Sequence, residues 1–411
     1  MKLADALAPL REPRFAWYYA ARVVSTSGST MAPLAVAFAV LAISDSAMAL
    51  GVVLAARTIP MVLFLLIGGV VSDRFSRTAV MQTANLLSAA TQAVVAALVI
   101  TGTAELWMIV VIEALNGTVA AFTMPAMEGV VPQLVRRSLL QQANALLSFS
   151  RAGLAIVGPT VAALLVATVG PGWALAVDAL TWFVASLLLR RITLPPRQRS
   201  VESDSMVREL REGWSVFTGN TWLWVVVAGF AVLNGIHAGA WFTLGPAIAE
   251  NSFGPRGWGL VLSAESTGLL LMTVVMMKVR INRPLLSGML GMLLFTVPLF
   301  VLGLDPQVLP LMVGAFVAGA GVEVFSIGWS VTMQENIDES VLSRAYSYDA
   351  LGSFVAMPVG QVLFGVLGEA YGARSVIVTA AVVYGLTVLL VLTSRSVRDM
   401  RRADDRTAAT V

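Results

Sequence analysis

The sequence predicts an all-α membrane protein of twelve transmembrane helices, arranged as two parallel six-helix repeats. Three observations carry that prediction: an unusually apolar composition, a one-sided distribution of basic residues, and an internal repeat at half the chain length. The 411 residues are 57% hydrophobic and only 12% charged, with a mean hydropathy of +0.82. Soluble domains carry roughly 25% charged residues. A soluble core has no use for so much apolar surface, whereas lipid does. One helix crosses the hydrocarbon layer with about 20 apolar residues, so the chain holds roughly a dozen spans with short loops.

Hydropathy and turn chemistry place the spans at about 15–42, 49–71, 78–101, 105–128, 140–166 and 172–190, then 221–249, 257–278, 285–303, 308–331, 343–367 and 373–393. Breaks fall at Ser44-Asp45-Ser46, Gly170-Pro171-Gly172, Gly254-Pro255 and Asp305-Pro306. Several spans contain proline, among them Pro33, Pro60, Pro159, Pro246 and Pro358. Bundles tolerate these because neighbouring helices satisfy the freed carbonyls. Trp17, Trp107, Trp173 and Trp258 lie near span ends and read as interfacial anchors.

The basic residues fix the orientation. With the amino terminus inside, 22 of the 27 lysines and arginines fall on the cytoplasmic side. Only Arg256 and Arg374 fall in outer loops, and Arg22, Arg57 and Arg151 fall within spans. The positive-inside rule therefore predicts an even span count with both termini cytoplasmic. Met1 to Arg14 is basic and polar with no small-residue cleavage site, and reads as a cytoplasmic stub.

The expected organisation is a first half at 1–192, a linker at 193–220, a second half at 221–394 and a basic tail at 395–411. Within the linker, Met206, Leu210, Trp214 and Phe217 share one helical stripe. A short interfacial helix is the plain reading, and a partner-docking helix the functional one.

The halves are related in sequence. Gly51-Val-Val-Leu54-Ala-Ala56-Arg57 resembles Gly259-Leu-Val-Leu262-Ser-Ala264-Glu265 at a spacing of 208. Gly117, Leu140, Ala143 and Gly158 recur as Gly319, Leu342, Ala345 and Gly360 at a spacing of 202. Both halves start on the same side, so the repeat is parallel, about an axis along the membrane normal.

After the second span comes Gly69-Val-Val-Ser-Asp73-Arg74-Phe-Ser-Arg77. This resembles the signature loop of the major facilitator superfamily, Gly-x-x-x-Asp-Arg-x-Gly-Arg-basic, and it falls in the same cytoplasmic loop. Ser76 replaces the usual glycine and Thr78 the second basic residue. The second-half counterpart, Lys278-Val-Arg280-Ile-Asn-Arg283, has bases but no acid. The resemblance implies that Asp73 accepts hydrogen bonds from the start of the eleventh span, near Ser343 to Ser347, and latches the cytoplasmic side. Arg74 and Arg77 also serve as topology determinants. Ala-Arg22-Val-Val-Ser25, Ala-Ala-Arg57-Thr-Ile-Pro60, Gln-Ala143-Asn144-Ala-Leu-Leu-Ser148 and Arg344-Ala-Tyr-Ser-Tyr-Asp349 look like the bacterial exporter branch that includes enterobactin and macrolide efflux proteins. Gly153-x4-Gly158-Pro159 is similar to the fifth-span motif of antiporters, with small residues instead of two glycines after the proline. The resemblance implies a major facilitator fold, a small-molecule substrate bound between the halves, and proton-coupled efflux. It implies a monomer in the bilayer.

Ionisable groups within a membrane normally face a cavity or a partner, because burial costs roughly 2.5–3.5 kcal/mol even on insertion scales. Those here are Arg22, Arg57, Glu113, Arg151, Asp178, Glu265, Glu323 and Asp349. Arg151 and Glu265 fall at depths that differ by roughly 5 Å. One reading pairs them across the halves, and the other gives each its own polar partner. Arg57 occupies the repeat position of Glu265, and either lines a cavity or caps a carbonyl freed by Pro60. Glu113, Asn116 and Gly117 share a face of the fourth span, where Glu113 with Arg22 makes a polar patch. Glu113 and Glu265 lead the candidates for proton coupling, ahead of Glu323 and Asp178. The best-defined proton-coupled exporters have an arginine motif in the fourth span, where this sequence has Glu113. Asp349, near the cytoplasmic end of the eleventh span, is a candidate gate or structural contact. His237 is either a cavity ligand or a structural histidine. Trp241 and Phe242 are candidate contacts for an apolar substrate, with core packing as the alternative.

Other functions are not supported. Without cysteine, and with His237 the single histidine, thiolate and multi-histidine metal sites are excluded. No Gly-x4-Gly-Lys-Ser/Thr loop is present, which argues against ATP-driven transport by this chain. No nucleophile–base pair or acid pair suggests an enzyme, and nothing suggests a cofactor or a nucleic-acid partner. Import of a nutrient or metabolite stays open as the second transport reading, and a flippase-like or enzymatic scaffold as the third.

Overall fold

The computed structural model describes residues 7–402, except 45, 75, 129, 137–138, 193–213, 277–278, 280 and 338. The described residues are helical throughout, with no strand among them. Twelve helices are long and apolar enough to cross a membrane. In chain order they are span 1 (Pro13–Ser44), span 2 (Ala47–Phe64), span 3 (Thr78–Thr101), span 4 (Leu106–Thr123), span 5 (Gln142–Val169) and span 6 (Pro171–Leu189). Span 7 (Thr221–Glu250), span 8 (Gly254–Met276), span 9 (Pro284–Leu304), span 10 (Val308–Asn336), span 11 (Tyr348–Tyr371) and span 12 (Ala373–Thr393) follow. Their starts lie within five residues of the expected positions and their ends within seven.

The helix irregularities have local causes. Span 1 breaks between Ser29 and Ala32, just before Pro33, and span 9 breaks between Leu293 and Thr296, just before Pro298. The prolines supply no donor to the turn that precedes them. Pro60, Pro159 and Pro358 sit inside continuous helices. Span 7 changes register: His237–Leu244 is a π-helix, followed by a new α-helical segment that starts at Gly245-Pro246. The Thr243 hydroxyl donates to the Ala238 carbonyl five residues back at 3.2 Å. Spans 5 and 6 join at Gly170 (φ 96°), and spans 11 and 12 at Gly372 (φ 83°). Both positions are left-handed, where glycine has no Cβ penalty. They are 202 residues apart, so the turn is part of the repeat.

The backbone divides into two compact units, Met1–Gln198 with Gly254–Gly259, and Arg199–Phe253 with Leu260–Val411. In the first unit, span 2 packs on span 4 and span 3 on span 6. A cluster including Phe15, Tyr18, Met81, Leu134, Ala143 and Leu189 joins spans 1, 3, 5 and 6. Beside it, Arg136 Nε donates to Glu12 at 3.0 Å. In the second unit, span 9 packs on spans 10 and 12, and span 7 on span 11. The chain after span 12 is fastened there: Arg402 donates twice to Glu335, at 2.9 and 3.0 Å, and Arg283 lies 3.9 Å from Asp399. Elsewhere large apolar side chains face outward, such as Leu309 at 72% and Leu390 at 70% exposure. Such surface suits hydrocarbon as solvent.

The interfacial helix expected within the linker falls mostly on 193–213, outside the described residues. Trp214 onward is helical, and Trp214 stacks on Phe217 and packs on Tyr348, both at 5.7 Å.

Candidate functional site

The first unit contains a buried polar chain, and the spacing of span 4 builds it. Glu113, Asn116 and Gly117 stand at i, i+3 and i+4, on one face. Gly117 brings span 2 close: a Cβ there would lie 1.9 Å from the Arg57 carbonyl oxygen. With the backbones that near, Arg57 Nη1 reaches Glu113 Oε2 at 3.2 Å. Asn116 donates weakly to Glu113 (3.5 Å) and to Gln92 (3.4 Å), and accepts from Thr91 at 2.5 Å. Gln92 in turn donates to Asp178 Oδ2 at 2.9 Å. The chain Arg57–Glu113–Asn116–Gln92–Asp178 therefore runs through spans 2, 4, 3 and 6. Asp178 Oδ1 has no hydrogen-bond partner and faces Gly28, where a Cβ would come within 2.4 Å.

Arg57, Asn116, Gln92 and Asp178 of this chain form part of the wall of a cavity of about 370 Å³, which Arg22, Thr30, Arg151 and Trp182 also line, while Glu113 is buried beside Arg57. A second cavity of about 260 Å³ shares Arg22 and Arg151, with Asn144, Ser148 and Ser150. Ser150 also hydrogen-bonds Tyr19. Glu113 is therefore partnered by Arg57, while Arg22 lies on the wall of the same cavity system. Arg57 lies on the wall of the larger cavity and has a carboxylate as partner.

The second unit repeats the backbone approach but not the chemistry. A Cβ on Gly319 would lie 2.0 Å from the Glu265 carbonyl oxygen, the counterpart of Gly117 on Arg57. The repeat positions of Glu113 and Asn116 are Ala315 and Ala318, both fully buried. Glu265 instead accepts from Trp241 Nε1 at 3.0 Å. His237 Nε2 lies 3.9 Å from Glu265 Oε1, beyond hydrogen-bond range. The His237 ring meets Phe295 edge-on at 4.8 Å and Phe242 at 5.0 Å. His237 and Trp241, four residues apart in the π-helical segment of span 7, both lie towards this carboxylate. Trp241 is completely buried, so it packs in the unit's core.

The other candidates are placed as follows. Glu323 accepts from Thr273 at 2.7 Å. Asp349 accepts from Trp329 Nε1 at 2.9 Å and Ser353 at 3.3 Å, a contact within its own unit. Gly158 meets Thr30, with a Cβ 2.2 Å from its hydroxyl, whereas Gly153 has nothing within 4 Å; Pro159 follows inside the same helix. Gly69, Asp73 and Arg74 end one helix and Arg77 begins the next; their side chains lie outside the described residues. Arg151 belongs to the first unit and Glu265 to the second. Sequence reasoning missed Gln92, Thr91 and Trp182. Gln92 was visible as an amide in the middle of an apolar span, but a search restricted to ionisable residues passes over it. Among the described residues no cluster of metal-ligating side chains occurs.

Known proteins resemble the chain along almost its whole length. Macrolide efflux protein A of Streptococcus pyogenes is 24% identical over 379 residues, 88% of this chain and 91% of that protein. The uncharacterised MFS-type transporter YvqJ of Bacillus subtilis is 22% identical over 300 residues, 70% of this chain and 71% of that protein. The crystal structure of the nucleoside transporter NupG superposes with a TM-score of 0.74 at 13% identity, covering 92% of this chain and 98% of that one. This last likeness establishes the fold, a major facilitator bundle. Residues 4–410 match the family described as transmembrane secretion effector. The chain therefore belongs to that family of major facilitator transporters.

Proposed function

We propose that the protein exports a hydrophobic or amphipathic small molecule by alternating access, driven by the proton gradient. The observation that carries the reading is the Arg57–Glu113–Asn116–Gln92–Asp178 chain on the wall of a cavity. A transporter without a nucleotide site needs an ionisable group that meets both substrate and water, and ionisable groups inside membranes are kept for such work. Asp178 lines that cavity and Glu113 is buried behind Arg57; Glu265 is the leading candidate carboxylate of the second unit. The apolar and polar lining together suits an amphipathic guest. Export as the direction rests on the macrolide efflux relatives. The proposed setting is a bacterial plasma membrane, with both termini cytoplasmic and Asp73 latching that side. Import is the second reading, since the NupG likeness is one of fold and is silent on direction.

The test is efflux of a panel of macrolides and other amphipathic compounds from expressing cells, with and without a protonophore. The reading predicts efflux above control cells that the protonophore abolishes. Protonophore-insensitive efflux removes proton coupling, and uptake in place of efflux favours import.

A further inference from the structure

Of the three arginines within the spans of the first unit, Arg22 and Arg151 remain once Arg57 is paired. Arg57 is taken by Glu113, and Asp178 is held by Gln92. Among the described residues of that unit, no carboxylate forms an ion pair with Arg22 or Arg151. Both line both cavities. Among the described residues that line it, the smaller cavity has these two cations and no acid; its other polar groups include Asn144, Ser148 and Ser150, which can all donate hydrogen bonds. Leu147 and Leu154 make part of its wall apolar. Two guanidinium groups sharing one intramembrane cavity repel each other, and each is costly there without an anion. Their planar forks fit carboxylate, sulfonate or phosphate oxygens two at a time.

From this we propose that Arg22 and Arg151 form an anion-binding subsite, and that the transported molecule is an amphiphile with a negatively charged group. The proposal rests on the export reading only for the word "transported"; binding is separable from it. The acidic group sits between the arginines, and the apolar body lies along Leu147 and Leu154. Asn144 and the two serines donate to the remaining oxygens. A lipid phosphate offers the same chemistry, so the test has an arm for it.

The test uses the full-length protein in phosphatidylcholine nanodiscs. The probes are anilinonaphthalene sulfonate and N-phenylnaphthylamine, which share their rings and differ in the sulfonate. Saturable binding is read by fluorescence. The wild type is expected to bind the sulfonate at least about tenfold more tightly. Arg22→Gln and Arg151→Gln are each expected to weaken it about 10- to 100-fold, the range for loss of a charged hydrogen bond. Arg22→Lys and Arg151→Lys should fall between. Neutral-probe binding should be unchanged in all four, which shows that the cavity is intact. Equal sulfonate affinity in wild type and both glutamine variants overturns the proposal. If the glutamine variants fail to fold, laurate against lauryl alcohol as competitors decides it on the wild type: equal potency overturns the subsite. When phosphatidylglycerol replaces half of the lipid, unchanged sulfonate affinity supports a substrate group. Competition there assigns the subsite to lipid headgroups and overturns the substrate assignment. Intact binding without export refutes the export reading alone, and export without charge preference refutes the subsite alone.

Discussion

Removing either member of the Arg57–Glu113 pair should have unequal consequences, and the burial of the two side chains says which is worse. The Arg57 side chain is 37% exposed and the Glu113 side chain 2%. Breaking a buried pair by removing one partner costs about 3–5 kcal/mol, mostly because the other charge stays buried. Arg57→Gln strands the carboxyl, which keeps only the weak Asn116 donor, so about 3 kcal/mol is expected. Glu113→Gln strands a guanidinium that cavity water can reach, so about 1 kcal/mol is expected. The double glutamine variant removes both charges and should cost well under the sum. Unfolding of the purified protein in dodecyl sulfate, followed by tryptophan fluorescence, measures each difference. The stability order should be wild type, Glu113→Gln, then Arg57→Gln, with the double variant more stable than Arg57→Gln. If Glu113→Gln costs as much as Arg57→Gln, or the two effects add, the pair is not the asymmetric buried contact described here.

Further expectations follow from the same geometry. Gly117→Ala and Gly319→Ala drive a Cβ into a facing carbonyl oxygen and should reduce the yield of folded protein, measured by size-exclusion after a heat step, whereas Gly153→Ala should leave it unchanged. Trp241→Phe leaves Glu265 without its indole donor and should destabilise by about 1–3 kcal/mol, with Tyr at the same position no better unless its hydroxyl reaches the carboxylate. Arg402→Ala breaks a two-pronged but partly exposed contact with Glu335, so its cost in the same unfolding assay should be about 1 kcal/mol or less. If the exported molecule is an anion, an inside-negative potential assists its exit by about 2.3 kcal/mol per 100 mV. Valinomycin with potassium should then slow export of the sulfonate probe more than nigericin does, and the reverse order would contradict an anionic cargo.

The fold was legible because its signals are summed over many residues. Hydropathy places each span, and the alternation of basic-rich and basic-poor loops along the sequence predicts an even count. The repeat even located Gly117 and Gly319, whose matching contacts on Arg57 and Glu265 depend on no side chain. The site was less legible because it depends on which faces meet. Glu113 and Asn116 could be put on one face, but only helix packing reveals that span 2 delivers Arg57 there and span 3 delivers Gln92. The π-helical register of His237–Leu244 has no signature in that run, although Trp241, the donor to Glu265, lies within it. Likewise Asp399 comes within 3.9 Å of Arg283 from more than a hundred residues away, a contact invisible locally.

Accumulation in everted membrane vesicles tests the central claim most directly, because entry there corresponds to efflux from the cell. With the panel compound that expressing cells expel best, energised vesicles containing the protein should accumulate it above control vesicles. A protonophore should release it, and Glu113→Gln or Asp178→Asn should abolish the energised part. Accumulation that ignores the protonophore, or that matches control vesicles for every compound tried, would contradict secondary active export.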